Sequence, residues 1–279
     1  MAVKVVTDTT ADLPPAIMKE LGIIAIPLYV RFGEQVYKDG IDITQDDFYK
    51  RLPVDPVHPN TSQPSPQDFL DVYEKLADNK DGIISIHISK KLSGTWESAN
   101  QAKQMMEGRV AIEVIDSLSV SMGLGLLAIQ AGRMAQQGAG LEEIKNEIEK
   151  AVSQIHLMGI FDTLKYLAAG GRIGRGKALL GSVLNVKPLL EIKDGEFAPV
   201  GQVRSREKSI ERLVEWVKGF NNVVALSVVH TTTPDEAEVL AGRLDGVFPK
   251  DKIIISRLGA ALGTHAGPGT LWVAVQSSG

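Results

Sequence analysis

The chain has 279 residues, is 44% hydrophobic and 23% charged, and carries a formal net charge of −4, which fits one large or two medium domains and gives no general attraction to nucleic acid or an anionic membrane. It contains no cysteine, so disulfides, thiolate metal sites and cysteine nucleophiles are excluded and a reducing, cytoplasmic setting fits. The N-terminus enters an apolar strand pattern without a signal-peptide layout, and the longest apolar stretch, around 122–131, is broken by Gly123, Gly125 and Gln130, well short of the roughly 18 to 20 residues of a membrane span.

In chain order, residues 3–6 predict a short buried strand, and Asp12 before Leu13-Pro14-Pro15 predicts the N-cap of a helix ending near Gly22. A strand at 23–30, a hairpin turn and return at 33–39, and a short helix at 46–52 follow. Residues 53–66 read as a loop, closed by Ser65 as a cap and Pro66 at the first helical position. Strand 82–88, helix 95–106, strand 111–115 and helix 122–137 then alternate, which argues for a parallel sheet with helices on its faces. An amphipathic helix at 141–153 closes this half.

The second half has a different rhythm. A helix at 164–169 stops at Gly170-Gly171, and a hairpin turns at Asp194-Gly195 between strands 189–192 and 197–200. A helix at 207–218, a strand at 223–229, a helix capped by Thr233 and two late strands at 253–256 and 271–275 complete it, and a mixed sheet is expected. The expected division is 1–155, an N-terminal α/β domain with anion-binding loops, and 156–279, a C-terminal α/β domain with a mixed sheet.

Three loops gather hydroxyls and glycines where an α/β sheet keeps its ligand, beyond the carboxyl ends of its strands: 60–65, 89–95 and 116–123. A helix N-terminus behind Ser93 and Gly94 suits an anion, since its amides are unpaired and partly positive. Each of these hydroxyls alone also fits a plain cap or turn. A fourth stretch, 258–270, reads as a glycine-rich loop around His265, whose imidazole N–H can reach a ligand. His87 is expected to be a satisfied core residue, with His58 in a loop, His156 near the domain junction and His230 at a strand end. None has metal-ligand spacing, and no metal site is expected. Ser93 with His265 is a weak hydrolase pair, since no Gly-x-Ser-x-Gly elbow occurs and only Asp8 or Asp116 offers itself as the orienting acid. There is no Walker-type phosphate loop.

Read together, 6–14 (Val-Thr-Asp-Thr-Thr-Ala-Asp-Leu-Pro), Asp39-Gly40, Thr61-Ser62-Gln63-Pro64-Ser65, Leu92-Ser93-Gly94-Thr95, Ile115-Asp116-Ser117, Gly170-Gly171-Arg172-Ile173, Lys187-Pro188 and His265-Ala266-Gly267-Pro268-Gly269 resemble the DegV family along nearly the whole chain. One departure is Trp96, where a tyrosine is expected. The resemblance implies two α/β domains with a lipid pocket between them. It also implies a non-enzymatic, cytoplasmic, bacterial-type carrier for one long-chain fatty acid, like the fatty-acid-binding subunits of fatty acid kinase (FakB-like). There a separate dihydroxyacetone-kinase-like subunit uses ATP to make the acyl phosphate, so the carrier itself has no catalytic residue and no cofactor besides the bound acid.

Carried onto this chain, the carboxylate is expected on Thr61, Ser62, Ser93, Gly94 and His265, with Gly267 and Ser119 as weaker candidates. Transient membrane contact and no nucleic acid partner are expected. Gly123, Leu124, Gly125, Leu127, Ala128, Leu164, Leu167, Ala168 and Leu184 are candidates for an acyl tunnel, or equally for ordinary core. Arg172 and Arg204, in a local excess of positive charge, are candidates for docking the kinase, against the plainer reading of a solvated face. A lipid sensor or buffer without a kinase partner is the alternative.

Overall fold

The computed structural model describes residues 2–78, 81–179 and 186–278. Strand β1 (Lys4–Asp8) runs through a 3-10 turn at Thr9–Ala11 towards helix α1 (Pro15–Leu21). Strands β2 (Ile24–Ile26), β3 (Tyr29–Phe32) and β4 (Gln35–Lys38) precede α2 (Gln45–Arg51), β5 (Asn60–Ser62) and α3 (Pro66–Lys75). Next come β6 (Ile83–His87), α4 (Thr95–Met105), β7 (Ile112–Asp116), α5 (Met122–Gln136) and α6 (Leu141–Val152). Then β8 (Ile155–Ile160), α7 (Lys165–Ala169), β9 (Lys187–Lys193), β10 (Glu196–Val203) and α8 (Arg206–Lys218) follow. The last elements are β11 (Val223–His230), α9 (Pro234–Arg243), β12 (Ile254–Arg257), α10 (Ala260–Ala266) and β13 (Leu271–Ser277).

The architecture is α/β, with a parallel sheet early in the chain and a mixed one late. The parallel sheet has the order β2-β1-β6-β7, and the mixed sheet the order β10-β9-β8-β13-β11-β12, in which only β11 and β12 run parallel. A small antiparallel sheet, β4-β3-β5, stands beside them. Helix α5 packs on β1 and β6 of the parallel sheet and on β13 of the mixed sheet. Its sequence, MGLGLLAIQAGRMAQ, is apolar nearly all round, as a helix covered on more than one side must be. One buried cluster therefore continues from Val5 and Ile86 through Leu127 to Phe161 and Trp272. Among the described residues no helix is long and apolar enough to cross a membrane.

Several local signals act as read. Ser65 caps α3 in a reciprocal capping box with Asp68, and Pro66 takes the first turn. Asp194 and Gly195 both have positive φ, 53° and 80°, the requirement of the two-residue hairpin turn between β9 and β10. Other expectations need correction. Asp12 does not cap α1: it closes the 3-10 turn at φ 50°, and its carboxylate reaches across to Gly259 N and Ser121 Oγ. Pro14 holds the N-cap position of α1 with no side-chain bond. Thr233 precedes α9 without capping it, its hydroxyl buried and unpaired. The stretch expected as one strand at 23–30 is two short strands in different sheets. Residues 60–62, expected as loop, form β5, and residues 260–266, also expected as loop, form α10.

Candidate functional site

Two polar anchors from distant parts of the chain meet first. Strand β5 pairs antiparallel with β3, Thr61 opposite Val30, which fixes the direction of the threonine side chain. Thr61 Oγ1 lies 2.8 Å from His265 Nε2, in the last turn of α10. Helix α10 is itself held from below by buried acids. Asp12 Oδ1 accepts from Gly259 N at 2.7 Å, and Asp39 Oδ1 accepts from Ala260 N at 2.8 Å. Ser121 Oγ donates to Asp12 Oδ2 at 2.6 Å, and Tyr49 OH donates to the Leu258 carbonyl. The motif acids at 12 and 39 thus position the helix that carries His265.

Around this pair opens a cleft with about 530 Å³ of atom-free space, part of it continuous with solvent. Its polar wall is Thr10, Thr61, Ser62, Gln63, Ser93, His265 and Arg172; its apolar wall includes Leu28, Ile88, Leu92, Val120, Leu167, Phe197, Leu262 and Trp272. Among the described residues no carboxylate walls it. Arg172 is solvent-exposed and bonds the Gly170 carbonyl through Nη1 at 2.8 Å, so its guanidinium stands at the mouth. Burial, then the nearby Arg172 and His58, pushes His265 down to about 3 from its ordinary 6.5, so the imidazole is neutral at pH 7.

A neutral imidazole has one N–H. Among the described residues Nδ1 has no partner, and it faces the Cα of Gly170, where a methyl would stand 2.0 Å away. A proton on Nε2 leaves no buried N–H orphaned: Nε2 then donates to Thr61 Oγ1, and the threonine O–H is free to donate into the cleft. Ser93 Oγ shares a 2.8 Å bond with the buried Thr95 Oγ1 and faces the same space. The arrangement supplies hydroxyl donors and a guanidinium at one wall and apolar surface at the other. Such a cleft suits an amphiphile with an anionic head.

Of the residues expected at the carboxylate, Thr61, Ser62, Ser93 and His265 wall the cleft together. Gly94, Ser119 and Gly267 are not among its walls. Gly94 opens α4 and makes room for Gln63, whose Nε2 would lie 2.9 Å from a methyl there. Ser119 lies against Gly123 with its hydroxyl buried and unpaired, and Gly267, at φ 74°, ends α10 against the Tyr166 ring. Arg172 lies at the mouth, whereas Arg204 is exposed and outside the walls.

Of the tunnel candidates only Leu167 contributes. Gly123, Leu124, Gly125, Leu127 and Ala128 are buried in α5 and Leu164 in the core, while Ala168 is exposed; Leu184 lies outside the described residues. Gln63, Leu28, Val120, Phe197 and Trp272 were missed, because strands and loops far apart in sequence bring them together and no spacing announces it.

The hydrolase pair does not form. Ser93 bonds Thr95, His265 bonds Thr61, and neither Asp8 nor Asp116 reaches His265. A serine–histidine–aspartate chain does exist elsewhere: Ser85 Oγ to His87 Nε2 at 2.7 Å, and His87 Nδ1 to Asp8 Oδ2 at 2.9 Å. All three are fully buried and Ser85 also accepts from Tyr73 OH, so no substrate reaches this serine. His87 is the satisfied core histidine expected. A larger hollow, with about 1,290 Å³ of atom-free space partly continuous with solvent, lies on the other side of segment 8–12 and has Asp8, Asp12, Asp39 and Arg257 among its walls. Its acids make it a poor host for an anionic head.

A profile described as "Uncharacterised protein, DegV family" matches residues 2–278. The chain belongs to the DegV family. A DegV domain-containing protein of Streptomyces coelicolor is 38% identical over 283 residues, covering 99% of this chain and 98% of the relative. One from Caldanaerobacter subterraneus is 36% identical over 269 residues, covering 95% of each. Among solved structures, a DegV family protein of Thermus thermophilus described by its fatty acid binding superposes with a TM-score of 0.91 at 32% identity, covering 100% of both chains. DegV of Bacillus subtilis, a fatty acid binding protein, does so with a TM-score of 0.89 at 31% identity over 100% of both chains. DegV neighbours of this fold thus bind fatty acids.

Proposed function

We propose that this DegV protein binds one long-chain fatty acid in the cleft and presents its carboxylate to a separate, ATP-dependent fatty acid kinase subunit. The observation that carries the binding half is the division of the cleft: Thr61, Ser93, neutral His265 and Arg172 on one wall, aliphatic and aromatic side chains on the other, and no acid between them. A carboxylate taken out of water must be paired or well hydrogen-bonded, or it takes up a proton instead. The Ser93 hydroxyl, the Arg172 guanidinium and the Thr61 hydroxyl backed by His265 meet that need. The acyl chain supplies affinity, on the order of 11 kcal/mol for about 14 buried methylenes before ordering costs. The fatty acid bound by the similar DegV proteins of known structure supports the same ligand class.

The presenting half is supported by the exposed Arg172 at the mouth and by exposed Arg204, both cationic in a chain of net charge −4. A guanidinium is the side chain best suited to phosphate. On this reading the protein holds substrate and the partner does the chemistry. Ser93→Ala is expected to weaken fatty acid binding by about 1.5–3 kcal/mol, roughly ten- to a hundredfold, as for other hydrogen bonds to a charged group. An unchanged dissociation constant, measured by calorimetric titration, would remove Ser93 from the site. Arg204→Glu is expected to leave fatty acid binding intact while lowering acyl-phosphate formation with the kinase; undiminished formation would remove Arg204 from the docking surface, and no acyl phosphate from the native protein with kinase and ATP would leave a lipid sensor or buffer as the reading.

A further inference from the structure

The apolar wall contains a close contact that only glycine permits. Gly159 on β8 sits directly opposite Trp272 on β13, in the middle of the mixed sheet. The indole lies over the glycine Cα: a methyl there would stand 1.9 Å from Cδ1 and 2.3 Å from Nε1. Gly159 does not have positive φ, so space alone requires the glycine. Phe161 and Phe197 flank the indole, with ring centroids 5.7 Å and 6.0 Å away. Phe197 and Trp272 both wall the cleft, and Trp272 is 1% exposed. Backbone lies beneath the ring, two phenyl rings lie beside it, and the ring borders the cleft.

We propose that the Gly159–Trp272 pair sets how much acyl chain the cleft accepts, as a specificity determinant of the lipid site. With glycine at 159 the indole lies flat on the sheet and the chain has room beside Phe197. Any larger residue there lifts the ring into the path of the chain, and a smaller residue at 272 lengthens that path. The polar wall is untouched in either case, because Thr61 and His265 stand on β5 and α10 and Ser93 in the loop before α4. Selectivity, rather than carboxylate recognition, is what should move. Each excluded methylene weakens binding about fourfold, so losing room for two lowers affinity about fifteenfold.

This inference rests on the carrier reading, and the test keeps the two apart. The purified protein, Gly159→Ala, Trp272→Leu and the double variant are each offered an equimolar mixture of lauric, palmitic, stearic and oleic acids, and the bound lipid is extracted and quantified. Gly159→Ala is expected to shift bound lipid towards laurate, with the stearate-to-laurate ratio falling about tenfold or more. Trp272→Leu is expected to shift it towards the longer acids, and the double variant to recover most of the original profile. Where Gly159→Ala does not fold, as circular dichroism would show, Trp272→Leu alone carries the test. The same lipid profile in every folded variant overturns the proposal. A native protein that takes up none of the acids overturns the carrier reading instead.

Discussion

At the residue scale, the site is built from groups whose ordinary chemistry is altered by burial. His265 is held neutral far below its usual pKa, and Asp39, buried beneath α10, is raised from 3.8 to about 6 by desolvation. These two shifts act on stability in opposite directions. Asp39 binds its proton more tightly folded than unfolded, so its contribution is complete below about pH 4 and is lost as pH rises through about 6. Asp12, also raised by burial, acts in the same sense. His265 binds its proton more weakly folded, so its contribution is complete above about pH 6.5 and is lost as pH falls towards about 3. Asp39→Asn is therefore expected to flatten the decline in stability between about pH 4 and 6, and His265→Gln to flatten the acid-side loss. Urea melts at closely spaced pH values check both, and parallel profiles for variants and native protein would contradict the assignment. A carboxylate bound beside His265 also favours its charged form, so fatty acid should raise the imidazole pKa, which proton NMR follows directly.

At the scale of elements, α10 joins the two halves of the site, and its anchoring explains why Asp12 and Asp39, which are not themselves cleft walls, belong to the same motif set. Asp12→Ala leaves the Gly259 N–H and the Ser121 hydroxyl unpaired in a buried place, at about 1–3 kcal/mol for each group. The predicted result is a lower urea midpoint together with weaker fatty acid binding, since His265 rides on that helix. Full stability, or full affinity at reduced stability, would separate α10 from Asp12. This is also where sequence reading was strongest and weakest. Elements with a local cause were legible: the Ser65 capping box, the Asp194-Gly195 turn, the alternation of strand and helix through α5. Elements whose cause is tertiary were not. β5 has only three residues and exists because β3 pairs with it, and α10 looks like a loop by its glycines but is pinned by Asp12 and Asp39. Asp12 itself offered a plain capping signal, and a longer-range bond took precedence over it.

At the scale of the whole molecule, the polar half of the site was legible as hydroxyl-rich loops at strand ends, because chain reversal and ligand approach both favour serine, threonine and glycine there. The apolar half was not: α5 carries the most lipid-like sequence in the chain and serves as the packing between two sheets. The cleft walls instead come from β10, β13, α7 and the loops after β6 and β7, whose convergence is a property of the fold. A ligand seated between so many elements ties them together. At a free concentration of 100 times its dissociation constant, a fatty acid should add about 2.7 kcal/mol to the stability of the protein.

The measurement closest to the central claim is native mass spectrometry of the purified protein, followed by extraction of whatever it carries and re-addition of fatty acid. The account predicts one fatty acid per chain, released on unfolding and regained on mixing, with Thr61→Val and Ser93→Ala losing it first. A native protein that carries no lipid and takes up none at saturating fatty acid would contradict it.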